Sequence, residues 1–245
     1  MKALIVGASG ATGKLLVLEL LSRGVEVVAV VRPASSLLNS ITSKSERWHS
    51  NYREVSASIA DLSENELVSH LEGCDAVLSC LGHNLTFKGI FGKPRRLVAD
   101  TIGKLSRAVA SLKPGKRVKI ILMNTSGNSN RDIPEKPPLS QRLVISLLRY
   151  LLPPHADNEQ AADYLRIRIG QNDPFIDWVA VRPDSLTNDK EVSSYKIHIS
   201  PTRNAIFDSA PTSRINVAKF MAALATESDL WTEWRGKMPV IYNDG

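Results

Sequence analysis

Near its start the chain carries Gly7-Ala-Ser-Gly10-Ala-Thr-Gly13, set between an apolar β-type run, Ala3-Leu-Ile-Val6, and an amphipathic stretch, Lys14 to Arg23, that stops at Gly24. No other feature restricts the fold as much. Strand, glycine turn and helix, in that order, open a parallel α/β sheet, and the turn lies where such sheets take ligands. A helix start offers unpaired backbone N–H groups and the positive end of the dipole, which suits a pyrophosphate. A Cβ at the crowded positions would hold the phosphates off. Gly7 is expected to make the tight turn, Gly10 to let the backbone approach the phosphates and Gly13 to let helix and strand pack closely. Ser9, Ala11 and Thr12 complete the loop. The spacing is G-x-x-G-x-x-G rather than G-x-G-x-x-G, and glycines alone also mark ordinary turns. The strand before and the helix after select the dinucleotide reading.

The second strand bears on which dinucleotide. Gly24-Val-Glu-Val-Val-Ala-Val-Val-Arg32-Pro33 is a β-branched run whose far end belongs beside the adenosine ribose, where an NAD site presents Asp or Glu to the 2′-hydroxyl. Here that end carries Arg32, whose guanidinium suits a 2′-phosphate through charge-assisted hydrogen bonds. Ser35 and Ser36 follow as possible hydroxyl contacts, and Glu26 lies at the wrong end of the strand. NADP(H) is therefore favoured over NAD(H), the alternative being a solvated strand-end arginine.

At 245 residues the chain suffices for one Rossmann-type α/β domain, a doubly wound parallel sheet, with a small substrate-side lobe over about 183–214. The excess of six positive charges comes without a long basic run or interleaved aromatics, so no nucleic-acid partner is expected. Lys88, Lys93, Arg95 and Arg96 form a local cluster that reads either as a solvated loop and helix start or as a phosphate or partner patch. Cys74 and Cys80 lack metal-type spacing and fall beside or within an apolar strand. They read as reduced core residues of a cytoplasmic protein with no metal site. No run approaches the roughly 18 apolar residues of a membrane span, and the apolar start leads straight into the glycine turn, so neither a membrane nor a signal peptide is expected. The amphipathic stretch Leu139 to Leu152 reads as a packed helix or a lid, with a membrane-surface helix as the other option.

Along the chain, Tyr52–Ser56 is expected as a third strand, and Ser63-Glu-Asn-Glu66 as a capping-box start to a helix ending near Leu71. Asp75–Leu81 follows as a buried strand, 93–112 as a helix and Val118–Met123 as a fifth strand. Ile176–Pro183 and Ser193–Ile199 are two further strands. Strands alternating with helices predict parallel pairing. Ligands in such sheets sit at the strands' carboxyl ends, which directs attention to Gly82 to Asn84, Asn124 to Ser126 and Arg182 to Leu186.

Taken together, Gly7-Ala-Ser-Gly-Ala-Thr-Gly13, Val31-Arg32, Asp61-Leu62, Cys80-Leu-Gly82, Thr125-Ser126 and Trp178-Val-Ala-Val-Arg-Pro183 resemble the atypical short-chain dehydrogenase/reductase superfamily. The branch resembled is that of NAD(P)H-binding proteins similar to flavin and biliverdin reductases and nitrogen regulators. The resemblance implies that Asp61 and Leu62 flank the adenine, that Leu81 and Gly82 flank the ribose or nicotinamide side, and that Ser126 takes the place of the catalytic serine or threonine; Asn84, at the same strand end, is a further cofactor-binding candidate. Ile215–Leu224 looks like the family's closing helix.

Catalytic members of the wider superfamily use Tyr-x-x-x-Lys, in which the ammonium lowers the tyrosine pKa. The nearest match is Tyr164-Leu-Arg-Ile-Arg168, and no lysine occurs between Lys136 and Lys190. Arg168 does not replace that lysine conservatively. Tyr164 is a candidate proton donor or a packing residue, Ser126 a site or a turn residue, and His155 a donor at a lid edge or a surface group. Three functions stay open. The first is a reductase passing hydride from NADPH to a small conjugated acceptor such as a flavin, quinone or enone, a reading that tolerates the missing lysine. The second is a non-catalytic NADP(H) redox sensor that signals to a protein partner. The third is a nucleotide-sugar epimerase, which the absent tyrosine–lysine pair and the small lobe oppose.

Overall fold

A computed structural model describes residues 1–38, 41, 46–83, 92, 94–135, 144 and 152–244. The first half runs β1 (Lys2–Val6), α1 (Ala11–Ser22), β2 (Glu26–Val31), α2 (Glu46–Ser50), β3 (Tyr52–Ser56), α3 (Glu64–Leu71), β4 (Ala76–Ser79), α4 (Leu97–Leu112) and β5 (Val118–Met123). The second half runs α5 (Pro153–Asp163), a π-helical turn (Tyr164–Ile169), β6 (Ile176–Pro183), β7 (Ser185–Thr187), β8 (Tyr195–His198), β9 (Pro211–Ser213), α6 (Arg214–Thr226), α7 (Ser228–Trp234) and β10 (Val240–Asn243). Among the described residues the main sheet has the order β3-β2-β1-β4-β5-β6-β10-β8, parallel except for β8. The doubly wound α/β expectation holds.

The side chains of the central strands alternate between two cores. Ala3, Ile5, Val27 and Ala29 pack under α1, α6 and α7, whereas Leu4, Val6, Val28 and Val30 pack under α3, α4 and α5. Burial on both faces explains why these strands read as continuous apolar runs. The chain winds outward from β1 in both directions, so the crevice between the carboxyl ends of β1 and β4 is the topological switch point.

Several boundaries move. α1 starts at Ala11, three residues before Lys14, because Gly10 is extended (φ −72°, ψ 166°) and caps the helix; the last three residues of the glycine motif are therefore first-turn helix. β4 stops at Ser79, where the Cys80 carbonyl meets the Gly7 backbone, and α4 begins at Leu97. The capping box on α3 forms as expected: the Glu66 amide donates to the Ser63 hydroxyl at 3.2 Å, and the Ser63 amide to the Glu66 carboxylate at 2.7 Å. Ile215–Leu224 lies within α6. The stretch over 183–214 divides. β7 and β9 make a separate two-stranded sheet, whereas the strand expected over Ser193–Ile199 is the antiparallel edge of the main sheet through β10. Leu139 to Leu151 apart from Val144, together with Lys88, Lys93 and Asn84, lie outside the described residues. Among the described residues, no helix is long and apolar enough to cross a membrane, and no group of three or more His, Cys, Asp or Glu could hold a metal.

Candidate functional site

A groove of about 340 Å³ opens at the switch point, within the size range of ligand pockets, roughly 300–1,000 Å³. Its floor is Gly7, Ser9 and Gly10. Gly7 has φ +74°, and a Cβ there would lie 2.7 Å from the Cys80 carbonyl carbon. A Cβ on Gly13 would lie 2.1 Å from the Gly7 carbonyl oxygen, so glycine alone lets α1 start this close to the turn. Gly10 differs from both. Its Cβ would meet only the Gly7 oxygen, at 3.2 Å, and the backbone conformation suits any residue. What Gly10 leaves open is the groove. Ala11, Thr12 and Gly13 follow as the first turn of α1, which carries no acidic side chain to oppose the positive end of its dipole. Ala11 is exposed and Thr12 buried; neither side chain is part of the groove wall.

On one side the wall is Val30, Arg32 and Ala57–Ala60. Arg32 is exposed at the groove end of β2, whereas Glu26 sits at the opposite end, 3.6 Å from the Lys2 ammonium. The Ser35 amide donates to the Arg32 carbonyl at 2.8 Å, turning the chain directly after the arginine. Asp61 is exposed outside the wall and Leu62 is buried in the core; Ala57–Ala60 occupy the wall because the chain turns at Ser58, whose carbonyl accepts the Asp61 amide at 2.9 Å. Lys104 on α4 pins this turn, donating to the carbonyls of Ala60, at 3.1 Å, and Leu62.

The other side is Cys80, Leu81, Gly82 and His83, with Pro94 and Leu97. Leu81 and Gly82, both singled out by the sequence, line the groove. Burial pushes the Cys80 thiol up to about 12 and the Cys74 thiol up to about 11, so both remain protonated at neutral pH. His83 Nε2 lies 2.7 Å from an oxygen of Asp157. That carboxylate, 1% exposed on α5, also accepts the amides of Val98 and Ala99 at 2.8 and 2.9 Å and so caps α4. His83 follows Gly82 directly, inside a strand end already singled out. Asp157 gave no local signal, because its partners are 58 and 59 positions away in the chain.

Neither catalytic candidate is among the residues that line this groove. Ser126 is buried, and its hydroxyl donates to Asp184 at 2.8 Å. Burial raises the Asp184 pKa, and hydrogen bonds from the Ala210 amide and the Ser126 hydroxyl offset part of that effect. Tyr164 packs its ring over α4, 3.5 Å from where a Gly103 Cβ would be, and lines a second hollow together with Lys104 and Arg107. Arg168 is exposed on the π-helical turn. The helical spacing brings these two residues onto one element, the π-helical turn that follows α5. His155 lies on α5 beside Gly127, 3.7 Å from Glu159. Arg182, at the end of β6, is structural: fully buried, it donates to both Glu135 oxygens at 2.6 and 3.0 Å and to the carbonyls of Asn128, Ile199 and Met238.

No curated protein sequence matches the chain. Solved structures share its fold. The oxidoreductase YlbE from Lactococcus lactis is 21% identical with a TM-score of 0.66, covering 99% of this chain and 91% of that one. A candidate NADH-flavin reductase from Streptococcus pneumoniae is 18% identical with a TM-score of 0.65 over all of both chains. A wide-type short-chain dehydrogenase/reductase from Veillonella parvula, solved with NADP, is 16% identical with a TM-score of 0.67, covering 100% of this chain and 95% of that one. The family model for NAD(P)H-binding proteins matches residues 7–228, from the first glycine of the turn to the start of α7. With the motif, the doubly wound sheet and the switch-point groove all in register, the chain belongs to the NAD(P)H-binding family.

Proposed function

We propose that the groove binds NADP(H) and that the protein is an oxidoreductase of the cytoplasm passing hydride to a small conjugated acceptor such as a flavin, quinone or enone. The observation that carries the cofactor choice is Arg32, a cation at the groove end of β2 with the strand's only carboxylate at the far end. The open space over Gly10 and the uncompensated start of α1 suit a pyrophosphate. Gly7, Ser9, Gly10 and the amides of Ala11, Thr12 and Gly13 would hold it, Arg32 the 2′-phosphate, Ala57–Ala60 the adenine side, and Leu81 and Gly82 the nicotinamide side. When bound, the nicotinamide supplies the hydride, which leaves the protein to orient the partners and exclude water. A proton held at the groove is best assigned to His83, which lines it, since Cys80 stays a thiol and neither Ser126 nor Tyr164 is among the lining residues. The Asp157 carboxylate, 2.7 Å from Nε2, orients the ring.

The second reading, an NADP(H) sensor that transmits occupancy to a protein partner, draws on the missing lysine and on the absence of Ser126 and Tyr164 from the groove lining. Calorimetric titration with NADPH and NADH, followed by NADPH oxidation with flavin and quinone acceptors, separates the two. The reductase reading requires turnover with at least one acceptor class; tight binding without turnover across the panel decides for the sensor. In Arg32→Ala, NADPH affinity is expected to fall by about 10- to 100-fold, the loss of a charge-assisted pair, with NADH nearly unaffected. Equal losses for the two cofactors would reject the role of Arg32.

A further inference from the structure

Beyond Arg32, the chain enters a short segment whose order depends on a side chain from another strand. Glu54 lies on β3, in register with Ala29 of β2. One of its carboxylate oxygens accepts the Leu37 amide at 2.9 Å and the Tyr52 hydroxyl at 2.7 Å. The Ser36 hydroxyl and the Leu38 amide also bond to this carboxylate. The Ser36 hydroxyl in turn accepts the Leu38 amide at 3.2 Å, and Leu37 is buried in the core under α1. With the Ser35 amide closing on the Arg32 carbonyl, the path from Arg32 to Leu38 is held at four successive residues. Burial by itself would raise the Glu54 carboxyl pKa. The donors that converge on it outweigh that effect and hold it below the usual carboxylate range, so it is an anion at neutral pH.

We propose that Glu54 is a positioning residue for dinucleotide choice: by gathering the backbone and hydroxyl donors of Ser36–Leu38, it fixes the turn after Arg32 in the shape that receives a 2′-phosphate. The inference rests on the NADP(H) reading of the groove. Direct contact is not its mode of action, because a carboxylate facing a phosphate would repel it. The segment is ordered before the ligand arrives, so binding does not have to order it, and such preorganisation strengthens affinity. The benefit is confined to the part of the ligand that this turn touches. NADH has a hydroxyl where NADPH has its phosphate, and its binding is indifferent to the order of the turn. The same geometry corrects one expectation: the Ser36 hydroxyl is committed to Glu54 and Leu38, which leaves Arg32 and Ser35 as the residues of this turn to meet the phosphate.

The test uses the full chain with Glu54→Gln, which keeps the volume but removes the charge and half of the acceptor capacity. Affinities for NADPH, NADH, adenosine 2′,5′-bisphosphate and adenosine 5′-monophosphate are measured by calorimetry, with no turnover needed. NADPH and the bisphosphate are expected to bind about tenfold more weakly, with NADH and the monophosphate within about twofold of wild type. Losses shared by all four ligands, or by none, overturn the proposal. Ser36→Ala removes one donor from the same cluster without touching the sheet; it is expected to act in the same direction by about threefold, as the loss of one hydrogen bond, and serves if Glu54→Gln does not fold. Arg32→Ala separates the two levels. If it leaves the NADPH-to-NADH ratio unchanged, the NADP(H) reading fails; if it collapses the ratio while Glu54→Gln and Ser36→Ala do not, only the positioning role fails.

Discussion

Gly10→Ala and Gly13→Ala place the same methyl group three residues apart, and the structure separates their consequences. At Gly13 the new Cβ would sit 2.1 Å from the Gly7 carbonyl oxygen and 2.9 Å from the Ala8 Cα, both backbone atoms that cannot swing away. Forced overpacking of this kind costs about 1–3 kcal/mol, and so short a contact belongs at the upper end. Alanine recovers about 1 kcal/mol of helix propensity relative to glycine, for a net loss of about 2 kcal/mol, or about 4–8 °C in Tm for a chain of this size. At Gly10 the Cβ would meet one atom at 3.2 Å, and the backbone conformation already suits alanine. Losing glycine at this N-cap costs about 0.5–1 kcal/mol, or about 1–4 °C. Ligand response runs the other way. Wild type with NADPH at about 100 times its Kd gains about 2.7 kcal/mol, or about 5–11 °C, whereas Gly10→Ala is expected to show almost no shift because its methyl occupies the space over the helix start. Scanning calorimetry with and without NADPH reads both quantities. A Gly10→Ala variant that melts and responds like wild type would refute a pyrophosphate over Gly10. A Gly13→Ala variant with unchanged Tm would refute the claim that helix–turn contact demands glycine there.

Removal of Glu135 leaves the Arg182 guanidinium buried without its counter-charge. Glu135→Ala is therefore expected to destabilise by about 3–5 kcal/mol in denaturant titrations, and a loss under about 1 kcal/mol would show that the surrounding carbonyls suffice. Cys80 predicts an alkaline limb. Its thiol ionises near 9.0 when unfolded and near 12 when folded, so its stabilising contribution is complete below pH 9 and is lost as pH rises toward 12. Cys80→Ala should flatten the fall of Tm over that interval, with Cys74, pushed up to about 11, accounting for part of what remains. Native protein should also resist iodoacetamide at neutral pH; rapid alkylation of Cys80 would contradict its burial.

The amino-acid sequence by itself determined everything governed by short-range geometry. The order strand, Gly7-to-Gly13 turn, helix specifies a phosphate-binding start, because helix ends and close approaches are properties of a few consecutive residues. The apolar runs that became β1, β2, β5 and β6 specify a sheet buried on both faces, the Ser63–Glu66 capping box was legible to the residue, and Arg32 stood at a strand end that the pattern could locate. Tertiary structure alone decided which side chains meet. Ser126 and Tyr164 carry suitable chemistry at suitable spacings, yet Ser126 donates to Asp184 and Tyr164 packs against Gly103 of α4. Asp157 reaches His83 and the start of α4 across more than 50 residues, and Glu54 reaches over from β3 to order the turn after Arg32. These are contacts between elements whose relative placement comes from sheet order and helix packing, and no local pattern of residues encodes them.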